Sequence, residues 1–390
     1  MKVLAVDIGT GTQDVLLFDS RLEIENGYKM ILPSPTMQVR RAIQAATQRS
    51  EPILLTGVTM GGGPSAWAVE AHLKAGLTVF ATPAAARTLN DDLQVVTGMG
   101  VRLVSDEEAA HLPETVRRIA FKDFDFQRLA SIFKDFGVDL GDLAAVAVAV
   151  FDHGEAPPGV SDRKFRFDYL SERLQGDPDL RTFAHPVAEI PPVMSRMQAV
   201  VSSAANLEVP LMVMDSAPAA ILGALYDQTV QSQERNLLVN IGNFHTTAFR
   251  VHGTLVEGLL EHHTGFLDHK KLEKLLVSLA DGSLSNDTVF SENGHGALIL
   301  DKTPYPLDRE GYNLAVTGPR RSLLTESSIA SFTTSQMPRL RPYFAVPFGD
   351  MMTSGCIGLL SGLAYRIPSL AGPIINALEH SVPSLPPWEA

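Results

Sequence analysis

The first nineteen residues constrain the fold more than any other segment, because they have the pattern of a β-hairpin closed by a glycine-rich turn. Residues 3–18 read VLAVDIGTGTQDVLLF, two apolar runs separated by small and hydroxyl-bearing residues. Glycine leaves main-chain N–H groups open to a ligand, and Asp7 places a carboxylate at the mouth of the turn. These features suit a nucleotide phosphate bridged to Mg²⁺, although an ordinary hairpin would have the same residues. The candidate binding residues of this turn are Gly9, Thr10, Gly11, Thr12 and Gln13.

The same pattern recurs in residues 236–251, which read NLLVNIGNFHTTAFRV. Again an apolar strand leads into a glycine-containing turn, and hydroxyl side chains precede a second strand. Between the two hairpins, residues 211–214 form a short apolar run that ends at Asp215 and is followed by the string SAPAAILGA. Its proline and small residues are typical of the start of a helix that crosses another helix closely.

Five segments of the chain resemble the ASKHA superfamily, which comprises acetate and sugar kinases, heat-shock chaperones and actin. DIGTGTQDVLLFD resembles the first phosphate loop of that superfamily, and DSAPAAILGA resembles its first connecting helix. Residues 237–251 resemble the second phosphate loop, 314–321 the adenosine loop and 350–364 the second connecting helix. All five occur in the superfamily's order. The resemblance implies an α/β fold, in which two RNase H-like halves of the actin and sugar-kinase type surround a central cleft with an inserted α/β segment in the first half.

This resemblance also implies a domain division and a set of ligands. The first half would span residues 1–225 with an insertion at about 30–130, and the second half would span 226–366, followed by a C-terminal helix or loop and loose tail at 367–390. The cofactors implied are ATP and Mg²⁺, bound where the two hairpins face each other across the cleft.

Individual roles follow from the positions that match the superfamily's motifs. Asp7 would hold Mg²⁺ through water, and Asp215 would orient the attacking nucleophile or the metal, with Asp152 as a further catalytic candidate. The second turn would close on the phosphates through Gly242, Thr246 and Thr247, and the adenosine loop would contribute Gly318 and Arg320. Asn240 stands where the second loop usually has a carboxylate, which weakens the expected hold on Mg²⁺ and removes a candidate base.

Further candidate substrate contacts lie outside these motifs. Gly61, Gly62 and Gly63 precede a predicted helix and could cradle an anion on exposed N–H groups, although a tight strand-to-helix connection explains them nearly as well. Asp152 and His153 follow the buried strand predicted at 143–151, where they could supply a base or a metal-water contact; the alternative is a capping aspartate beside a surface histidine. His262 and His263 are adjacent, so they make a poor zinc pair and are taken as candidate substrate contacts.

Other segments carry structural expectations. Residues 107–134 are charged and predicted to be helical, and residues 282–296 are predicted to form a polar loop. The basic residues Arg163, Lys164 and Arg166 are predicted to lie on a solvated face. Cys356 falls in the predicted second connecting helix and is expected to be a small packing residue.

Composition limits the partners and the compartment. The 390 residues carry a net charge of −12 without a basic cluster to offset it, so neither nucleic acid nor a membrane is expected as a partner. The first strand begins at once, which predicts no signal peptide, and no apolar run is long enough to predict a membrane span. The single cysteine excludes an intrachain disulfide and is typical of the cytoplasm, where we expect this protein.

A narrower resemblance rests on LTGVTMGGGPSAW, FDHG and EHHTG, which are similar to a prokaryotic family labelled pyruvate formate-lyase activating enzyme. That label implies radical chemistry with S-adenosylmethionine and a three-cysteine cluster, which one cysteine cannot supply. The sequence instead predicts an ATP- and Mg²⁺-binding protein, either a slow ATPase that activates a client enzyme or a phosphotransferase acting on a small molecule. The alternative is an inactive actin-like module that senses a small ligand at Gly61–Gly63.

Overall fold

Two six-stranded sheets with the same five-strand core form the framework of the computed structural model, which describes residues 1–325, 340–380 and 384–389. The remaining residues, including 381–383 and Ala390 of the predicted tail, lie outside the described part of the chain. The strands of the first sheet are β1 (Lys2–Ile8), β2 (Thr12–Asp19), β3 (Tyr28–Pro33), β8 (Leu143–Val150), β9 (Ala184–Pro186) and β10 (Leu211–Asp215). Those of the second large sheet are β11 (Arg235–Ile241), β12 (His245–His252), β13 (Leu255–His263), β14 (Gly294–Ile299), β15 (Leu314–Thr317) and β16 (Pro342–Phe344).

Five strands of the two large sheets share one order and one set of directions, β3-β2-β1-β8-β10 in the first sheet and β13-β12-β11-β15-β16 in the second. The sixth strand differs, because β9 borders β10 whereas β14 borders β13. The full orders are β3-β2-β1-β8-β10-β9 and β14-β13-β12-β11-β15-β16. In each sheet the first strand of a hairpin pairs antiparallel with its partner on one side and parallel with a later strand on the other. The registers agree as well, because Asp7 lies opposite Asp14 in the first hairpin and Asn240 lies opposite Thr247 in the second. The fold is therefore the predicted pair of RNase H-like halves of the actin and sugar-kinase type.

A third sheet comes from the segment between β3 and β8. Its four parallel strands have the order β6-β5-β4-β7 and are β4 (Ile53–Gly57), β5 (Val79–Ala81), β6 (Arg102–Leu103) and β7 (Arg117–Phe121). The inserted α/β segment is thus present. The helical prediction for residues 107–134 is wrong in its middle, where β7 extends the sheet by pairing with β4.

Fourteen α-helices occur within the described ranges. They are α1 (Pro35–Gln48), α2 (Pro64–Lys74), α3 (Pro83–Ala86), α4 (Leu93–Gly98), α5 (Asp106–His111), α6 (Phe126–Asp135), α7 (Asp162–Gly176), α8 (Ser195–Ser203), α9 (Ser216–Ala224), α10 (Gln228–Gln231), α11 (His269–Asp281), α12 (Asn286–Ser291), α13 (Ser354–Arg366) and α14 (Pro368–Leu378). The predicted loop at 282–296 is a second correction, because it contains α12 and the start of β14. Among the residues described, no helix is both long and apolar enough to cross a membrane.

Helices α9 and α13 cross between the two large sheets, and their contact requires glycine. A β-carbon at Gly223 would lie 1.7 Å from the Ser354 carbonyl oxygen, and one at Gly358 would lie 1.9 Å from that of Ala219. The small residues of both segments therefore permit the close crossing that the sequence predicted. Cys356 of α13 is fully buried, with its sulfur against the backbone of β1 and β2, as expected of a packing residue. The helix pair fixes the two sheets so that their hairpin turns meet.

Candidate functional site

The two glycine-containing turns line one cavity of about 110 Å³ in the cleft. Asp7 lies at the end of β1 on one side, and Asn240 lies at the same register position of β11 on the other. The cavity also contains residues from the turns, from β12 and from the adenosine-loop segment. The predicted site residues that line it are Asp7, Gly9, Thr10, Thr12, Asn240, Gly242, Thr247 and Gly318.

Five predicted ligands lie outside the lining of this cavity, one of which is Asp215, whose contacts are given below. Gly11 is at the tip of the first turn, where an added β-carbon would lie 2.4 Å from Asn243 Nδ2 of the opposite turn. Gln13 faces a different groove. Thr246 is buried, with its hydroxyl 2.9 Å from that of Thr264, and Arg320 is exposed. The turns do face each other, but only part of each reaches the cavity.

Asp7 has the character of a cation ligand. Its Oδ1 is buried, and the described part of the chain offers it no hydrogen-bond partner. Burial, followed by the charges of Asp14 and Asp215, raises its pKa well above the ordinary value. Burial likewise raises the pKa of Asp14 to about 7, and Asp14 Oδ1 is also without a partner among the residues described. Two neighbouring buried carboxyl groups with unsatisfied oxygens fit the oxygen ligands that Mg²⁺ prefers.

Asp215 is buried and is held by donors from the protein. Its Oδ1 accepts from the Ala217 N–H at 3.0 Å, which caps α9, and its Oδ2 accepts from Arg166 Nη1 at 2.6 Å. The guanidinium of Arg166 also contacts Glu261 of the second large sheet through Nε and Nη2, at 2.8 and 2.9 Å. One arginine thus links the strand ends of both halves.

The prediction that Arg166 lies on a solvated face is wrong, since only 1% of this residue is exposed. Its guanidinium carbon lies 3.6 Å from the centre of the Phe151 ring, and it sits between two buried carboxylates, Asp215 and Glu261. Such carboxylates require a nearby cation because their charges are poorly solvated. The sequence spacing could have predicted this burial. Arg166 lies four and eight residues before Leu170 and Leu174 on α7, so the three side chains share the buried face of the helix.

The Asp152 carboxylate accepts hydrogen bonds from two backbone N–H groups. Its Oδ1 accepts from the Gly154 N–H at 2.8 Å and its Oδ2 from the Met197 N–H at 2.9 Å, so both oxygens hold the loop after β8 and the start of α8 together. His153, by contrast, does not match the alternative of a surface residue. Its Nε2 lies 3.2 Å from Nε2 of His295, a residue that the sequence reasoning missed because it lay in the predicted loop.

A second cavity of about 250 Å³ adjoins the first. Gly61, Gly62 and Gly63 line it together with His153, so the inserted segment carries its glycine loop to the cleft. Five residues line both cavities: Thr10, Phe151, Arg196, Phe244 and His245. His262 and His263 line neither cavity among those found in the described chain; His262 Nδ1 instead lies 3.0 Å from the His263 carbonyl oxygen.

Arg196 anchors the glycine loop beside the cleft. It donates to both carboxylate oxygens of Asp123, at 2.6 and 3.1 Å, and to the Phe151 carbonyl oxygen at 2.7 Å. The Gly61 N–H donates to the same carboxylate, and a β-carbon at Gly61 would lie 2.7 Å from Arg196 Nη2. Glycine at this position therefore permits the close approach of the loop to the arginine.

The repeated sheet topology and the paired turns define an ASKHA-type cleft protein. Within that class, the chain belongs to the family described as "Putative pyruvate format-lyase activating enzyme (DUF1786)", whose sequence model matches residues 60–323. None of the curated proteins is significantly similar to this chain.

Solved structures with detectable likeness are distant. An ROK hexokinase from Thermus thermophilus is 14% identical with a TM-score of 0.24, over 66% of this chain and 47% of the hexokinase, less than half its length. A PilM-PilN type IV pilus biogenesis complex is 10% identical with a TM-score of 0.37, over 93% of this chain and 99% of the other. An exopolyphosphatase-like protein is 9% identical with a TM-score of 0.28, over 95% and 90% of the two chains.

Proposed function

We propose that the cleft binds ATP with Mg²⁺ and that the protein transfers the terminal phosphate slowly, either to water or to a small molecule held in the second cavity. One observation carries the proposal: two glycine- and threonine-containing turns, one from each half, line a single cavity that also contains Asp7. Main-chain N–H groups at such turns bind phosphate oxygens. The unpartnered Oδ1 atoms of Asp7 and Asp14 support a cation between them and the phosphates.

The residues of the cavity divide into two groups in this proposal. Asp7, supported by Asp14, would hold Mg²⁺, which when bound neutralises charge on the phosphates. Gly9, Thr10 and Thr12 would bind phosphate from the first half, and Gly242 and Thr247 from the second half. Thr247 Oγ1 is buried and, among the described residues, without a partner, which supports its role as a donor to a ligand.

Cavity size supports a coupling between binding and movement of the halves. Ligand sites for small molecules usually measure about 300–1,000 Å³, whereas the first cavity measures about 110 Å³. Phe244 and His245 of the second turn narrow it. It accommodates a phosphate group but not a whole nucleotide, so we propose that the halves open for ATP and close around its phosphates.

The position of the second cavity supports phosphoryl transfer. It shares Thr10, Arg196 and His245 with the first cavity, so an acceptor bound there would lie beside the terminal phosphate. Two features support slow turnover: Asn240 removes a carboxylate from the second turn, and Asp215 is engaged by Arg166. The same two features favour a second candidate function, a sensor module that binds nucleotide or a small ligand without turnover.

Radical chemistry with S-adenosylmethionine, which the family description suggests, is not part of the proposal. Such chemistry needs a cluster held by several cysteine thiolates, and Cys356 is the single cysteine of the sequence. Its Sγ is buried and lies 3.1 Å from the Asp14 carbonyl oxygen.

Calorimetric titration with ATP and MgCl₂, combined with a phosphate-release assay, tests the proposal. We expect Mg²⁺-dependent binding by the wild type, reduced at least about tenfold in Asp7→Asn because a hard cation loses its charged ligand. Asp142→Asn is the matched control, since Asp142 lies in the same half and forms a surface ion pair with Lys2. Binding without any phosphate release would favour the sensor module, and absence of binding would overturn the nucleotide proposal.

A further inference from the structure

Three histidines from different parts of the chain converge beside the cleft. His153 follows β8, His245 begins β12 and His295 lies on β14. Each offers one ring nitrogen, and these nitrogens all lie within 4.8 Å of one another. Ligand nitrogens around a tetrahedral zinc ion are about 3.4 Å apart, given bonds of about 2.0–2.1 Å. Small side-chain rotations would therefore bring the three imidazoles into coordination geometry.

The surrounding protein holds these rings in place. The His245 ring stacks on Phe151, with ring centres 3.9 Å apart and planes within 2°. The strand that carries His295 pairs with β13, where Glu261 lies opposite Gly296. Rings fixed in this way need little reordering to bind a metal, which reduces the entropic cost of coordination.

Hydrogen bonding within the cluster does not satisfy all of its nitrogens. His153 Nε2 and His295 Nε2 are 3.2 Å apart, so a neutral pair could share one proton. His245 Nε2 would still be left, and it is buried without a partner in the portion of the chain described. A buried unpaired ring nitrogen is costly, whereas a metal ion would accept a lone pair from each of the three rings.

Charged groups of both signs lie near the three rings, because Arg163, Arg166 and Arg196 act on them together with nearby carboxylates. Two carboxylates, Asp215 and Glu261, share the single guanidinium of Arg166, and Glu261 Oε1 lies 3.8 Å from His295 Nε2.

We propose that His153, His245 and His295 bind one divalent first-row transition metal ion of the Zn²⁺ type, with an open coordination position facing the second cavity. Three neutral imidazoles suit Zn²⁺ and its transition-metal neighbours rather than Mg²⁺, which prefers oxygen. Because His153 and His245 line the second cavity, the fourth position would accept water or an oxygen atom of the molecule bound there. This site shares His245 with the lining of the Asp7 cavity, but it includes none of the residues proposed to bind Mg²⁺ or phosphate.

Metal titration of the chelator-treated full-length protein, without nucleotide, tests this proposal. ZnCl₂ is titrated in competition with a chromophoric chelator, and CoCl₂ binding is followed by visible absorption. We expect one Zn²⁺ per chain in the wild type. His245→Gln and His295→Gln should weaken binding by more than about 100-fold, because loss of a group that merely orients a ligand already costs 10–100-fold.

Two control variants test whether the loss of Zn²⁺ binding is specific to the three histidines. His185→Gln removes a buried histidine on β9 outside the cluster and should bind Zn²⁺ like the wild type. Asp7→Asn should also bind Zn²⁺ normally, so failure of the nucleotide proposal would leave this one standing. Circular dichroism establishes that each variant is folded. The proposal is overturned if the wild type binds no Zn²⁺, or if folded His245→Gln and His295→Gln retain the wild-type stoichiometry and cobalt spectrum.

Discussion

Gly355 stands so close to Asp7 that a β-carbon on Gly355 would lie 1.9 Å from Asp7 Oδ2. Gly355 lies in the first turn of α13, the helix that crosses α9 between the two large sheets. The carboxylate proposed to hold Mg²⁺ therefore touches the element that fixes one half against the other. Movement of the halves would change the surroundings of this carboxylate, which gives a physical basis for coupling ligand binding to closure.

Gly355→Ala should abolish Mg²⁺-dependent ATP binding, because the added methyl group displaces Asp7. We expect a destabilisation of about 1–3 kcal/mol from overpacking, measured by urea unfolding, together with the loss of the calorimetric signal. Gly372→Ala is the control, since a β-carbon at Gly372 meets nothing within 4 Å. Unchanged ATP affinity in folded Gly355→Ala would show that Asp7 does not hold the metal.

Arg166→Met should destabilise the protein by about 3–5 kcal/mol, because it leaves Asp215 and Glu261 buried without their shared cation. The effect should appear in urea unfolding at pH 7. Adding Asp215→Asn and Glu261→Gln to Arg166→Met should recover part of the stability, since amides carry no charge to be compensated.

Lys164→Met is the matched control for this prediction. Lys164 lies on the same helix and forms an exposed ion pair with Asp168, so its loss should change stability by less than about 1 kcal/mol. Equal effects of the two substitutions would contradict the structural role given to Arg166.

Arg166 also shows how far the sequence can predict this site. The local motifs predicted the two turns and their meeting, because such turns have a recognisable pattern of glycine and threonine. The spacing of Arg166 with Leu170 and Leu174 predicts that Arg166 is buried. Its partners Asp215 and Glu261, however, lie 49 and 95 residues away in the sequence. Those contacts depend on tertiary packing, which the sequence pattern does not report.

His295 and β7 illustrate the same limit in secondary structure. The strand containing His295 forms by pairing with β13, and β7 forms by pairing with β4. Neither segment has a local signal strong enough to separate it from its charged or polar neighbours, because strand formation depends on a partner. The three-histidine cluster could be found only once the sheets were assembled.

Acidification should destabilise the protein through His185. Burial, followed by the charges of Arg173 and Arg366, lowers the pKa of His185 to about 4, below the value of about 6.5 for an unfolded chain. Between these values the unfolded state binds more protons than the native state, so the free energy of unfolding falls as the pH drops from 6.5 towards 4.

The measurement compares urea unfolding of wild type and His185→Gln at pH 7.5 and pH 5. The variant should lose about 2 kcal/mol less than the wild type over this interval, because it has no proton to bind at position 185. Contributions of the other histidines occur in both proteins and cancel in the difference. An identical loss in both proteins would show that His185 titrates normally when folded.

Asn240→Asp should accelerate phosphate release. Asn240 lines the first cavity and lies opposite Thr247 in the second hairpin, so a carboxylate there would add a second acidic group across from Asp7. A well-placed base usually contributes about 10²–10⁴-fold to rate, and we expect a gain of at least about tenfold. The added charge should also destabilise the ligand-free protein, since Asp7 already lies near Asp14 and Asp215 and has a raised pKa.

Mg²⁺ with ATP should reverse that loss of stability, because a ligand that binds the folded state stabilises it. The assays are phosphate release and thermal unfolding with and without MgATP, and Asn206→Asp serves as the control because Asn206 is exposed and its substitution adds the same charge. If the cleft only binds nucleotide and does not hydrolyse it, the new carboxylate has no chemical reaction to accelerate. If Asn240→Asp and Asn206→Asp both leave the release rate unchanged while ATP still binds, the proposal of ATP hydrolysis in this cleft fails and the sensor module is favoured.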